Sequence, residues 1–155
     1  MPGNVTVASE FNVWADPEAA RIVFDSNLPL EMVGWDVSVA DAVISDGLAN
    51  QLSKLSELGN FAMSIQRKVR EFCRTETKLD GFDLPDPIAM AVALDSSIVL
   101  SEVQKHVRVN LGHGDTRGQT LVDHLEIINN RKNCRVVLRA DREKFIEMLH
   151  AAFAA

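Results

Sequence analysis

A strong helix start, Asp16-Pro17-Glu18-Ala19-Ala20, leads directly into an apolar stretch, Leu30-Glu31-Met32-Val33-Gly34-Trp35, and no other feature of the chain constrains its fold as much. Asp16 can accept from amides that lack an intrahelical partner, Pro17 is preset for the first helical position, and Glu18 suits the positive end of the helix dipole. The spacing predicts a helix over 17–26, ended by Asn27 and Pro29, and then a short, mostly apolar strand over 30–35. A helix that feeds at once into a buried strand is a piece of α/β winding.

The remaining segments extend this pattern. Ser45-Asp46 opens a second helix, with Leu48, Ala49, Leu52 and Leu55 at helical spacing and an end near Gly59. Asn60 is positioned to cap a third, in which Ala62, Ile65, Val69 and Phe72 share one face and Arg67, Lys68, Arg70 and Glu71 the other, giving a surface αα-hairpin. Gly81 to Pro85 reads as a loop. Asp86-Pro87 then heads the most apolar helix of the chain, Ile88 to about Leu94, which is expected to be buried. Val107, Val109 and Leu111 alternate with polar residues, and 119–125 does so less cleanly. With Gly112, Gly114 and Gly118 between them, these runs predict a β hairpin or bulged arm. A strand over 134–139 and a closing helix capped by Asp141 complete the chain.

The chain has 155 residues, 46% of them hydrophobic and 25% charged, which suits one folded domain with a sizeable core and excludes a fibrous or disordered chain. A single domain over 1–155 is expected. The net charge of −6, from 16 Lys and Arg against 22 Asp and Glu, argues against nucleic acid as a partner. No apolar run reaches the roughly 18 residues that span a bilayer, and the N-terminus lacks a basic start followed by an apolar stretch. Cys73 and Cys134 have no metal spacing and read as free buried thiols, so a cytoplasmic, membrane-free protein is expected. The histidines at 106, 113, 124 and 150 have no ligand spacing and read as surface residues.

Two polar features stand apart from this framework. Asn4, Glu10 and Asn12 lie on one short stretch, Asn4-Val5-Thr6-Val7-Ala8-Ser9-Glu10-Phe11-Asn12, and Asp86 heads the apolar helix in Leu84-Pro85-Asp86-Pro87. By residue type alone, Asn4 suits a turn, Glu10 a solvated charge, Asn12 a position near a helix start, and Asp86 a plain cap. A carboxylate on a buried apolar helix must be satisfied by helix amides or by a cation, because an unpaired buried charge costs several kcal/mol.

Taken together, Gly-Asn-Val-Thr, Glu-Phe-Asn and Asp-Pro-Glu-Ala-Ala resemble the central segment of the calcium-dependent inosine/uridine-preferring nucleoside hydrolases, and the resemblance runs from about Gly3 to the last helix. It implies the C-terminal portion of an open, mostly parallel-sheet α/β domain with a helical cluster and a small β arm. It also implies cleavage of the N-glycosidic bond of purine or pyrimidine ribonucleosides to base and ribose. In the family, the residues matching Asn4 and Glu10 contact the ribose 5′-hydroxyl, the one matching Asn12 contacts the lower hydroxyls, and the one matching Asp86 binds calcium and touches the ribose. Asn4, Glu10, Asn12 and Asp86 are therefore the expected substrate-binding residues, with Asp86 as metal ligand and Ca2+ as cofactor.

The departures from the family pattern are equally specific. Nothing matches the family's N-terminal half, whose aspartate cluster supplies most of the metal ligands and the general base. Where many relatives carry a histidine that protonates the leaving base, this chain has Pro85, which has no proton to give. The expectation is therefore an incomplete calcium site, a chain inactive or nearly so by itself, and association as a homo-oligomer or with a complementing N-terminal half. The alternative reading is a truncated product or a non-catalytic module that binds ribose-containing ligands or a partner. Asp36 resembles part of a family Leu-Asp-Val-Thr motif and reads as structural, with Trp35 as core or pocket wall. Thr116-Arg117-Gly118-Gln119 resembles a family arm and reads as a turn with a solvated arginine.

Overall fold

The computed structural model describes residues 3–78, 80–128 and 131–154, with only the backbone of Thr77. The chain divides into two compact units, the first from Met1–Trp35 and Glu102–Leu138 and the second from Asp36–Ser101 and Arg139–Ala155.

In the first unit a short helix α1 (Phe11–Ala15) is followed by α2 (Pro17–Asp25), whose N-cap Asp16 accepts from the Ala19 amide at 2.9 Å as expected. The strand β1 (Leu30–Val33) comes next and pairs in parallel with β7 (Cys134–Ala140), in the register Leu30 to Cys134 through Val33 to Val137. Among the described residues β7 is the middle strand of a three-stranded sheet, with β1 on one side and β4 (Val99–Lys105) on the other. The boundaries between the units fall after Trp35 and inside β4 and β7. The expected arm is present as β5 (Val107–Val109) paired antiparallel with β6 (Thr120–Val122). Val107, Cys134 and Val136 form the buried centre of this unit, with Phe24, Leu30, Met32, Val103, Val122 and Leu138 packed around them.

The second unit opens with a helix that the alternating residues 35–41 do not announce. Here α3 (Trp35–Asp41) begins at Trp35, which shortens the expected strand to Val33, and it buries Val37, Ser38 and Asp41. The short strand β2 (Val43–Ile44) pairs antiparallel with β3 (Phe82–Asp83), so the segment read as a loop carries a strand. Helix α4 (Asp46–Leu52) is capped by Ser45 and stops at Leu52, and α5 (Glu57–Ile65) starts from a Ser56 cap. Gly59 lies inside α5 rather than ending α4. A Cβ there would sit 2.4 Å from the Leu52 carbonyl oxygen, so glycine permits a close approach of the two helices. Helix α6 (Arg67–Phe72) runs on into a π-helical turn, Cys73–Thr77. The face expected from Ile65, Val69 and Phe72 is exposed, and Gly59 and Met63 are the buried residues of α5.

Helix α7 (Pro85–Leu94) departs from the expectation of full burial. Ile88, Ala91 and Val92 are buried, but Met90 and Leu94 are exposed at 58% and 73%. After β4 and β7, the chain closes in α8 (Arg142–Ala154), with Asp141 accepting from the amides of Glu143 and Lys144 at 3.0 and 3.1 Å as expected. Cys73 and Cys134 are both buried, and neither is in a disulfide. No helix among the described residues is long and apolar enough to cross a membrane.

Candidate functional site

Within the first unit Asn4, Glu10 and Asn12 converge on the first turn of α1. The segment before it doubles back on Ser9: the amides of Asn4 and Val5 donate to the Ser9 carbonyl at 3.2 and 3.4 Å, and the Thr6 hydroxyl accepts from the Ser9 amide at 3.0 Å. This fold-back places Asn4 Oδ1 2.8 Å from the Phe11 amide. Glu10 is the N-cap of α1. Its Oε2 accepts from the amides of Asn12 and Val13 at 2.9 and 3.3 Å, and its Oε1 accepts from Asn12 Nδ2 at 3.3 Å. These bonds satisfy first-turn amides and position the carboxylate. Among the described residues Asn4 Nδ2 and Asn12 Oδ1 have no partner, and Glu10 Oε1 accepts a single bond, so a donor, an acceptor and a charged acceptor remain for hydroxyl groups.

The arm carrying Thr116-Arg117-Gly118-Gln119 lies against the same stretch, which corrects the reading of a solvated arginine. Arg117 donates from Nη1 to the Leu111 carbonyl at 2.8 Å and from Nη2 to Glu18 Oε1 at 2.5 Å, while its own carbonyl accepts from the Ser9 hydroxyl. The guanidinium beside Glu18 holds that carboxyl below the usual range. Ser9, Arg117 and Glu18 thus support the polar tract. No local signal marked them, because Arg117 and Glu18 are 99 residues apart in sequence.

Asp86 lies in the second unit. It is not the cap of α7: Leu84 holds that position without a side-chain bond, Pro85 takes the first turn, and Asp86 follows as an exposed residue of that turn. The buried charge expected there is therefore absent, because Asp86 is exposed. Calcium takes about 6–8 oxygen ligands, and no group of three or more His, Cys, Asp or Glu side chains among the described residues could hold a metal ion. Asp86 can offer one ligand group, but the described residues alone do not fit a complete calcium site. Asp36 sits in the first turn of α3, and Trp35 is half-buried at its start. The buried polar groups of this unit serve packing: Ser38 donates to Asp83 Oδ2 at 2.8 Å, and Asp41 is held by Arg139.

The comparisons with known proteins follow the same outline. The family model described as inosine-uridine preferring nucleoside hydrolase matches residues 1–147. A pyrimidine-specific ribonucleoside hydrolase, RihA, of Klebsiella pneumoniae subsp. pneumoniae is 32% identical over 152 residues, covering 95% of this chain and 47% of the relative. Among solved structures, a purine-preferring ribonucleoside hydrolase from Gardnerella vaginalis superposes with a TM-score of 0.83 at 28% identity, over 98% of this chain and 48% of that one. A plant nucleoside hydrolase shares the fold with a TM-score of 0.89 at 24% identity, over 100% of this chain and 50% of that one. The chain spans about half the length of the curated relatives it matches. Together with the α/β framework, the arm and the polar first turn of α1, these matches establish that the chain belongs to the inosine-uridine preferring nucleoside hydrolase family.

Proposed function

We propose that residues 1–155 form the C-terminal portion of a single nucleoside hydrolase-like domain, a cytoplasmic ribonucleoside N-ribohydrolase that releases base and ribose, and that this portion supplies the grip on the sugar. The observation that carries the reading is the convergence of Asn4, Glu10 and Asn12 on one helical turn, with amide and carboxylate atoms left over for hydroxyl partners. Breaking an N-glycosidic bond builds positive charge at the anomeric carbon, so a held ribose with a carboxylate among its contacts is favoured as the bond lengthens. Asn4 Nδ2 would donate to a ribose hydroxyl, Asn12 Oδ1 would accept from one, and Glu10 would accept while adding negative charge. Asp86 would contribute a carboxylate to the sugar and to a calcium ion whose other ligands come from outside the described residues. Activity would then require a complementing half or a second copy.

A second reading, a non-catalytic module for ribose-containing ligands or a protein partner, is favoured by Pro85 at the first position of α7, which cannot donate a proton to a departing base. Two assays separate these readings. Uridine or inosine should raise the thermal midpoint of the chain, and Asn12→Ala should abolish the rise. Ribose release, assayed with a complementing N-terminal half supplied, should stop in a calcium chelator and in Asp86→Ala. Release that survives both treatments contradicts the metal assignment, and binding without any release even with that half supplied supports the module.

A further inference from the structure

We propose that Arg117 and Gly118 form a latch that positions helix α1, and with it Asn4, Glu10 and Asn12. The functional meaning of this latch rests on the sugar-holding reading above. Helix α1 has five residues, none of them buried, so neither helix propensity nor its own packing fixes its orientation. In the described stretch 3–15 the one buried residue is Ser9, with no exposed surface. Ser9 is also the point where the tract meets the arm. Its carbonyl gathers the amides of Asn4 and Val5, and its hydroxyl donates to the Arg117 carbonyl.

Arg117 reaches both flanks of α1. Its backbone carbonyl holds Ser9 on the N-terminal side, and its guanidinium holds Glu18 on the C-terminal side at 2.5 Å, braced by the Leu111 carbonyl at 2.8 Å. Gly118 allows the approach. Its φ is +81°, and a Cβ there would sit 3.1 Å from Ser9 Oγ and 3.2 Å from Trp14 Cα, a backbone atom of α1 that has little room to shift. A side chain at position 118 would therefore push the arm and the helix apart. Lysine at 117 can reach one of the two acceptors, where the arginine fork reaches both.

Amide exchange followed by NMR on the full chain tests the latch, with a uridine titration beside it. In Arg117→Met and Gly118→Ala the amides of Phe11, Asn12 and Val13 should exchange at least about tenfold faster, as expected when bonds held by the latch open. The amides of Val136 and Val137 in β7 should keep their rates, which separates positioning from general loss of stability. Arg117→Lys should restore part of the protection, and uridine affinity should follow the same order. Unchanged exchange at Phe11, Asn12 and Val13 in Arg117→Met overturns the latch, as does acceleration spread equally into β7. Should Gly118→Ala not fold, the Arg117→Met and Arg117→Lys pair decides. A parent chain that shows no uridine-dependent shift overturns the sugar-holding reading, and the exchange rates still decide the latch.

Discussion

Arg139 holds Asp41 through two nitrogens: Nε lies 3.0 Å from each carboxylate oxygen and Nη2 lies 2.8 Å from Oδ1, while the Ala140 amide donates to Oδ2 at 2.8 Å. The partners differ sharply in exposure, with the Asp41 side chain at 1% and that of Arg139 at 59%. Breaking the pair from one side is therefore unlike breaking it from the other. Asp41→Asn leaves a guanidinium that water can solvate and keeps an acceptor for the Ala140 amide. Arg139→Met strands a buried carboxylate. The larger fall in unfolding free energy is expected for Arg139→Met, measured by urea denaturation, and equal losses would contradict this account.

Gly59 offers a test in which two effects oppose each other. Alanine is the better helix former by about 1 kcal/mol in a helix interior. The added Cβ would meet the Leu52 carbonyl oxygen at 2.4 Å, however, and a forced shift in packed structure costs about 1–3 kcal/mol. The steric effect is expected to win, so Gly59→Ala should lower the midpoint of thermal unfolding. A rise would show that α4 and α5 do not approach this closely.

Acid should weaken the fold through carboxylates held by lysines. Lys144, with Ser97, draws Asp95 down to about 2, and Lys105, with Lys132, draws Glu126 down to about 2. Both folded values lie below the unfolded ones, near 4. Their contribution is therefore present above pH 4 or so and is lost as pH falls toward about 2. Both pairs are exposed, so the effect is modest and screened by salt. Lys144→Met and Lys105→Met should each flatten the fall in stability over this range at low ionic strength, and an unchanged slope would contradict the pairing.

Burial pushes the Cys134 thiol from 9.0 to about 11. A raised folded value means that the thiol's contribution is intact below the unfolded value and is lost as pH rises toward 11. Cys134→Ala should remove that alkaline part of the stability profile. In the native chain neither buried thiol should react with a disulfide reagent at pH 8 until denaturant is added, and rapid labelling would place one of them at the surface.

The parts of the fold legible in the sequence are those decided by neighbours along the chain. Asp16 and Asp141 were readable as caps because a cap acts on amides two or three residues away, whereas Asn60, also read as a cap, lies inside α5, which Ser56 caps. The glycines between Val109 and Thr120 marked the arm for a similar local reason. Helix α3 was hidden because Trp35 to Asp41 alternates apolar and polar residues, while what fixes it includes a bond from Asp41 to an arginine 98 residues later. Gly59 read as a stop because its role, the approach of a neighbouring helix, leaves no local trace. At the site, Asn4, Glu10 and Asn12 were visible as a polar cluster, and their support from Ser9, Arg117 and Glu18 was not. Asp86 was recognisable by its motif, but its place in the first turn, exposed, depended on Leu84 and Pro85 taking the positions before it.

On the proposed function, the first turn of α1 holds a ribose. A uridine titration of the isotope-labelled chain, followed through the side-chain amides of Asn4 and Asn12 and the backbone amides of Phe11 to Val13, tests it most directly. Saturable shifts are expected at these groups, which ribose alone also produces and Asn12→Ala removes. Shifts confined to other residues, or none as uridine is raised into the millimolar range, would contradict it.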